Sequence, residues 1–196
     1  MFVQVIEGKA KDPDLWRRQG ERWLQELQPG AKGYLGHTGG ITADGVAIDV
    51  ARFESEADAR ANSDRPEQGA WWNETEKAYD SPVTFTESSD TELLFGGGSN
   101  DAGFVQIMKG TVGDPASFRQ WGKDHEGDLK KLRPDLLGGL DIWQPDGSYI
   151  SVAYFTSEAE ARKNEGAMGD SPMMGEYMSQ HTGEIQFLDI TDPVID

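Results

Sequence analysis

Three histidines, His37, His125 and His181, are the side chains that can exchange protons near neutral pH without a perturbed pKa. His125 falls on the apolar stripe of a helix-patterned segment. It reads either as a part-buried ring satisfied by one hydrogen bond or as a general base. His181 ends the last helix-patterned segment, just before Thr182-Gly183. A cation there suits a helix C-terminus, and proton transfer is the alternative role. His37 lies on a hairpin strand ahead of Gly39-Gly40 and is expected to reach solvent. His125 and His181 are therefore the candidate catalytic residues.

Two glutamines carry a second kind of chemistry. Gln4 and Gln106 stand in strand-like runs beside Phe2, Ile6, Phe104 and Met108. A buried amide must find a partner, because an unpaired one costs about 1–3 kcal/mol. The pair reads as a symmetric stitch between two sheets or as ligand-binding amides. Aromatic and thioether residues gather in two stretches: Trp71, Trp72 and Tyr79 in one, and Met168, Met173, Met174, Tyr177 and Met178 in the other. Trp121 adds an indole to the His125 stripe. Such clusters fill gaps in a core, or they wall a pocket for a flat hydrophobic molecule. Gln4, Gln106, Trp71, Trp72, Trp121, Met173, Met174 and Tyr177 are the candidate ligand-binding residues.

Other templates are missing. There is no Cys, which removes thiol nucleophiles, zinc–thiolate sites and disulfides. Gly-Gly-Gly-Ser-Asn at 96–100 has no following Lys and is not a phosphate loop. No His pair has metal-ligand spacing, and no GxSxG elbow occurs. No metal site and no cofactor are expected. Asp12, Asp114, Glu56 and Glu158 sit where helices begin and read as caps or first-turn charges.

Eighteen basic residues face thirty-five acidic ones, a net charge of −17, which disfavours nucleic acid and anionic membrane surfaces. No run approaches 18 apolar residues, and no basic stretch precedes an apolar one at the N-terminus. A cytoplasmic protein whose partner is a small hydrophobic molecule is the expectation.

The positioning elements come from a duplication. FESEADARAN at 53–62 returns as FTSEAEARKN at 155–164, and FVQVIEG at 2–8 as FVQIMKG at 104–110, both 102 positions later. Asp12-Pro13 and Asp44-Gly45 return with the same offset. Gln28-Pro29 is answered by Arg133-Pro134 after three inserted residues. In each copy a two-sided apolar run predicts a buried strand, and Asp-Pro opens an amphipathic helix ended near Pro29 or Pro134. Asp-Gly turns join two strands, and Ser55/Asp58 and Ser157/Glu160 form capping boxes for a further helix. The last strands hold Phe85 and Phe187.

The order β-α-β-β-α-β, read twice, is the ferredoxin-like arrangement. Its second sheet face is apolar, and two sheets packed face to face would cover both. The expected fold class is α+β, with repeats at 1–90 and 103–196 packed sheet to sheet as an intramolecular pseudo-dimer. Residues 91–102 are expected to be a flexible linker, with Leu93, Leu94 and Phe95 docking on a neighbour.

With the FVQ opening and the F-x-S-E-A-x-A-R junction, this order resembles the dimeric α+β barrel superfamily, in particular its antibiotic-biosynthesis-monooxygenase-like domains, doubled in tandem. The resemblance spans about 2–190. It implies one of three activities: cofactor-free oxygenation of an aromatic or quinol-type substrate, haem binding or degradation, or small-molecule binding without an assigned reaction. Haem-degrading relatives use an Asn, a Trp and a helical His together. Here Asn73 and Trp72 are adjacent while His181 belongs to the other copy, which counts against haem. The fold implies either a monomer containing its own pseudo-dimer or a homodimer.

Overall fold

A computed structural model describes residues 1–80 and 82–196. The first copy runs β1 (Phe2–Lys9), α1 (Pro13–Arg22), β2 (Tyr34–Ile41), β3 (Val46–Phe53), α2 (Glu56–Ser63), α3 (Pro66–Thr75) and β4 (Thr84–Ser88). After β5 (Thr91–Leu94) the second copy runs β6 (Phe104–Thr111), α4 (Pro115–Leu132), β7 (Leu136–Trp143), β8 (Ser148–Phe155), α5 (Glu158–Gly169), α6 (Pro172–Ser179) and β9 (Gln186–Ile190). The short β10 (Val194–Ile195) ends the order.

Local signals account for these boundaries. The carboxylates of Asp12 and Asp114 accept the N–H groups of Leu15 and Ser117 at 2.9 and 3.1 Å. Ser55 and Ser157 cap α2 and α5 through the N–H groups of Asp58 and Glu160. The first copy departs from expectation after Arg22. Its helix widens into a π-turn over Trp23–Leu27, whereas α4 continues regularly to Leu132. The turn carries the Trp23 indole to within 4.8 Å of the Tyr34 ring and lets its Nε1–H donate to Gln68 at 2.7 Å.

Residues 1–89 and 194–196 form one compact unit, and residues 90–193 form the other. Each holds a five-stranded antiparallel sheet, ordered β10-β2-β3-β1-β4 in the first and β5-β7-β8-β6-β9 in the second. One edge strand of each sheet thus comes from outside its own repeat. Thr91–Leu94, expected as linker, is instead β5, because Leu93 pairs with Leu140 and Leu94 with Gly139. The glycines that follow form a turn lying on β7, where a Cβ at Gly138 would collide with the Gly97 carbonyl. Similarly, β10 lies at the end of the second repeat yet pairs with β2, Val194 facing Gly39.

Both faces of the sheets are buried, as two-sided apolar strands demand. In the second unit Phe104, Phe155 and Ala161 make one cluster, and Val112, Phe118, Trp143 and Tyr149 another. Ile107, Leu140, Ile142 and Val152 on the same strands are also fully buried.

Candidate functional site

The second unit contains a cavity of about 680 Å³ between its sheet and its helices. Strand register lays down its floor in two rows. One crosses the sheet as Phe187, Met108, Ser151, Asp141 and Glu92, and the next as Asp189, Gln106, Ala153, Gly139 and Leu94. Small residues at the centre of these rows leave the space. Phe118, Trp121 and Leu129 of α4 close it from one side, with Met168, Met174 and Tyr177 of α5 and α6. Leu94 and Phe95 contribute the rim from the edge strand and its turn.

An aromatic wall stands over the floor. Phe118 lies 5.5 Å from the Tyr177 ring and 5.6 Å from Tyr149, and Trp121 lies 5.7 Å from Tyr177. Behind it runs a hydrogen-bonded chain. The Tyr149 hydroxyl is 3.0 Å from that of Tyr177 and 2.8 Å from Nε2 of His181, and Nδ1 of His181 is 2.9 Å from the Tyr177 carbonyl. A carbonyl only accepts, so Nδ1 carries the proton, Nε2 accepts from Tyr149, and Tyr149 accepts from Tyr177. Burial holds the His181 imidazole below its usual pKa, against the opposing pull of that carbonyl. Burial also raises Tyr149, and it raises Tyr177 to about 12. The Tyr149 ring fits because Gly110 lies beneath it; a Cβ there would stand 2.9 Å from Cε1.

A buried acid completes the site. Asp141 is only 8% exposed, and burial pushes its carboxyl up to about 6, opposed by a hydrogen bond from Ser151. Neighbouring Glu92 adds to the rise and Arg119 opposes it.

Of the residues expected from sequence, Gln106, Trp121, Met174 and Tyr177 line this cavity, and His181 stands one hydroxyl behind it. His125 stacks on Trp121 at 4.6 Å, with Nδ1 held by the Trp121 carbonyl at 2.8 Å. Met173 is buried at the start of α6. Gln4, Trp71 and Trp72 belong to the first unit. There the Trp71 Nε1–H donates to the Gln19 carbonyl at 2.8 Å, and Trp72 packs 5.3 Å from Phe85.

Two expectations are corrected. The glutamines do not stitch sheets together. Gln4 donates to Glu87 at 2.7 Å and Gln106 to Asp189 at 2.9 Å, each to the neighbouring strand of its own sheet, since that register brings the carboxylate alongside. Nor does His37 reach out to solvent. Its Nδ1 is bonded to the Asp196 carboxylate and lies 3.2 Å from the Tyr34 hydroxyl, because β10 brings Asp196 beside it.

Asp141, Ser151 and Tyr149 carry no type or spacing that marks them in the sequence as site residues. The usable signal was a carboxylate inside an apolar strand, as in GGLDIW at 138–143 and VAIDVARF at 46–53. Superposing the registers pairs Asp141 with Gly39 and Ser151 with Asp49, so the buried acid changes strands between units. Burial drives Asp49 to about 6 as well, opposed by His37 and a bond from Trp16. Gly39 is glycine because a Cβ would collide with the Asp49 carboxylate. The imidazole of His37 takes the place of Gly139, and Trp72 that of Met174, so the first unit fills positions the second leaves small or adaptable.

No protein-family profile matches the chain, and no curated protein matches it by sequence. Solved structures do match along its whole length. A candidate monooxygenase from Fusobacterium nucleatum superposes with a TM-score of 0.75 at 9% identity, covering 100% of this chain and 93% of that one. One from Lactobacillus acidophilus gives 0.72 at 9% identity over 100% and 98%, and an anthrone oxidase-like protein gives 0.63 at 11% over 99% and 92%. The fold is that of the dimeric α+β barrels, with two ferredoxin-like repeats in one polypeptide. Among the described residues no helix is long and apolar enough to cross a membrane, and no group of three or more His, Asp or Glu could hold a metal.

Proposed function

We propose that the second unit is a binding compartment for a small, flat, hydrophobic molecule. The observation that carries this is the cavity of about 680 Å³ between a floor of small residues and a wall of Phe118, Trp121, Tyr149 and Tyr177. That volume lies within the range of about 300–1,000 Å³ typical of small-molecule sites, and apolar walls with a few buried polar groups are their usual lining. The monooxygenase and anthrone oxidase names of the similar structures support an aromatic ligand.

The Tyr149–His181 chain favours a second reading, cofactor-free oxygenation of that ligand. A ring methylene would react with dioxygen to give a carbonyl and water, its first proton passing through Tyr149 to Nε2 of His181. The protein's part is a water-poor pocket and a base held neutral by burial. Both nitrogens of His181 are engaged, so that ring offers haem no ligand without breaking a hydrogen bond.

Gly122 provides the test. It lines the cavity from α4, and a Cβ there meets nothing within 4 Å. Gly122→Phe should fill the space while improving helix propensity by a few tenths of a kcal/mol. Naphthalene-class binding, followed by quenching of tryptophan fluorescence and by calorimetry, should weaken at least about tenfold with thermal stability kept. Binding that is undiminished in the variant, or absent in the native protein, would refute the compartment.

A further inference from the structure

The cavity lining carries five carboxylates, and four of them are paired with basic side chains. Glu92 pairs with Lys123 at 2.7 Å, Glu126 with Lys130 at 2.9 Å, and Glu165 with Arg162 at 3.0 Å, while Asp189 also pairs with Arg162. Asp141 is the exception. Among the described residues it has no ion pair with Lys or Arg, and its hydrogen-bond donor is the Ser151 hydroxyl. A carboxylate offers about four acceptor positions, so one hydroxyl leaves most of them unfilled. The group is buried in the floor, in one row with Met108, Ser151 and Glu92, and near enough to Tyr149 and Tyr177 to act on both electrostatically.

We infer that Asp141 is the specificity-determining residue of this cavity, its carboxylate accepting a hydrogen bond from a hydroxyl on the ligand ring. The inference rests on the binding compartment proposed above and narrows its ligand to phenol-class aromatics. A neutral donor suffices, because the Arg119 guanidinium, paired with Asp90 at 2.6 Å and lying over the Trp143 ring at 4.6 Å, already places a positive charge near the carboxylate. A ring hydroxyl satisfies the buried acceptor without adding charge, and its flat ring then lies along the aromatic wall. An O-methylated ring has no donor and would bury the carboxylate away from water without replacing the lost hydration.

The experiment compares 2-naphthol, 2-methoxynaphthalene and naphthalene by calorimetry on the full chain. Native protein should bind 2-naphthol at least about tenfold more tightly than the other two, as expected for a hydrogen bond to a charged acceptor. Asp141→Leu should erase that preference to within about twofold. Asp141→Asn keeps one acceptor atom and guards against misfolding of the leucine variant; it should give a reduced preference. Equal binding of all three probes by native protein overturns the assignment while leaving the compartment standing. A naphthol preference that survives in both variants also overturns it. If none of the probes binds native protein, the compartment fails and the inference with it.

Discussion

Replacing Asp141 by Asn should stabilise the second unit at neutral and alkaline pH and leave it unchanged in acid. Burial drives this carboxyl from an ordinary value near 3.8 up to about 6. The shift is about two units, and each is worth about 1.4 kcal/mol, so the ionised form costs the folded unit about 3 kcal/mol. Well below pH 3.8 both folded and unfolded states hold the proton, and the cost is absent. Between pH 4 and 6 the unfolded chain ionises first, so stability falls as pH rises. Above pH 6 the deficit is constant. Asn has the same shape, keeps an acceptor for the Ser151 hydroxyl and never ionises. The difference between Asp141→Asn and native protein should therefore be near zero at pH 3 and rise to about 3 kcal/mol at pH 8. Hydrogen exchange of β7 and β8 amides across a urea series at both pH values reads it for this unit alone. Comparing the two proteins at each pH cancels the general effect of the −17 charge. A variant less stable than native at pH 8, or a difference independent of pH, would refute the claim that this acid is ionised against its surroundings. A gain in stability would also fit a residue retained for what it binds.

Two further outcomes follow from the same geometry. If the compartment oxidises hydroquinone or anthrone probes, Tyr149→Phe should cut oxygen uptake at least about tenfold while probe affinity changes less than about twofold, because it severs the path to His181. Equal rates would remove that path. In the first unit, Gly39→Ala should destabilise by about 1–3 kcal/mol because its Cβ meets the Asp49 carboxylate. Combined with Asp49→Ser, part of the loss should return; strict additivity in a double-mutant cycle would show that the collision is not the cause.

Half of the candidate site is legible in the sequence. Gln106, Trp121, Met174 and Tyr177 stood out because each has a type and a repeat position that mark it. The sequence marks His181 as a base but not its partner Tyr149, since a tyrosine in an alternating strand looks like any core aromatic. Tyr149 replaces Ala47 of the first copy, and His181 replaces Tyr79, so each unit still places a tyrosine ring over its Gly8 or Gly110. Only spatial pairing exposes that exchange. His37 misled for a related reason, its partner Asp196 lying 159 residues away.

What the chain determines by itself is everything governed by near neighbours. Asp-Pro and Ser-x-x-acid signals start helices, Asp-Gly turns close hairpins, and a 102-residue echo declares two equivalent repeats. These depend on backbone hydrogen bonds a few residues long, so composition suffices to read them. Tertiary structure alone decided which strand completes each sheet, which acid lies under the ligand-sized space, and which unit keeps that space open. Those outcomes depend on ladder pairing and desolvation between residues far apart in sequence, where one register step moves a side chain to the opposite face of the sheet.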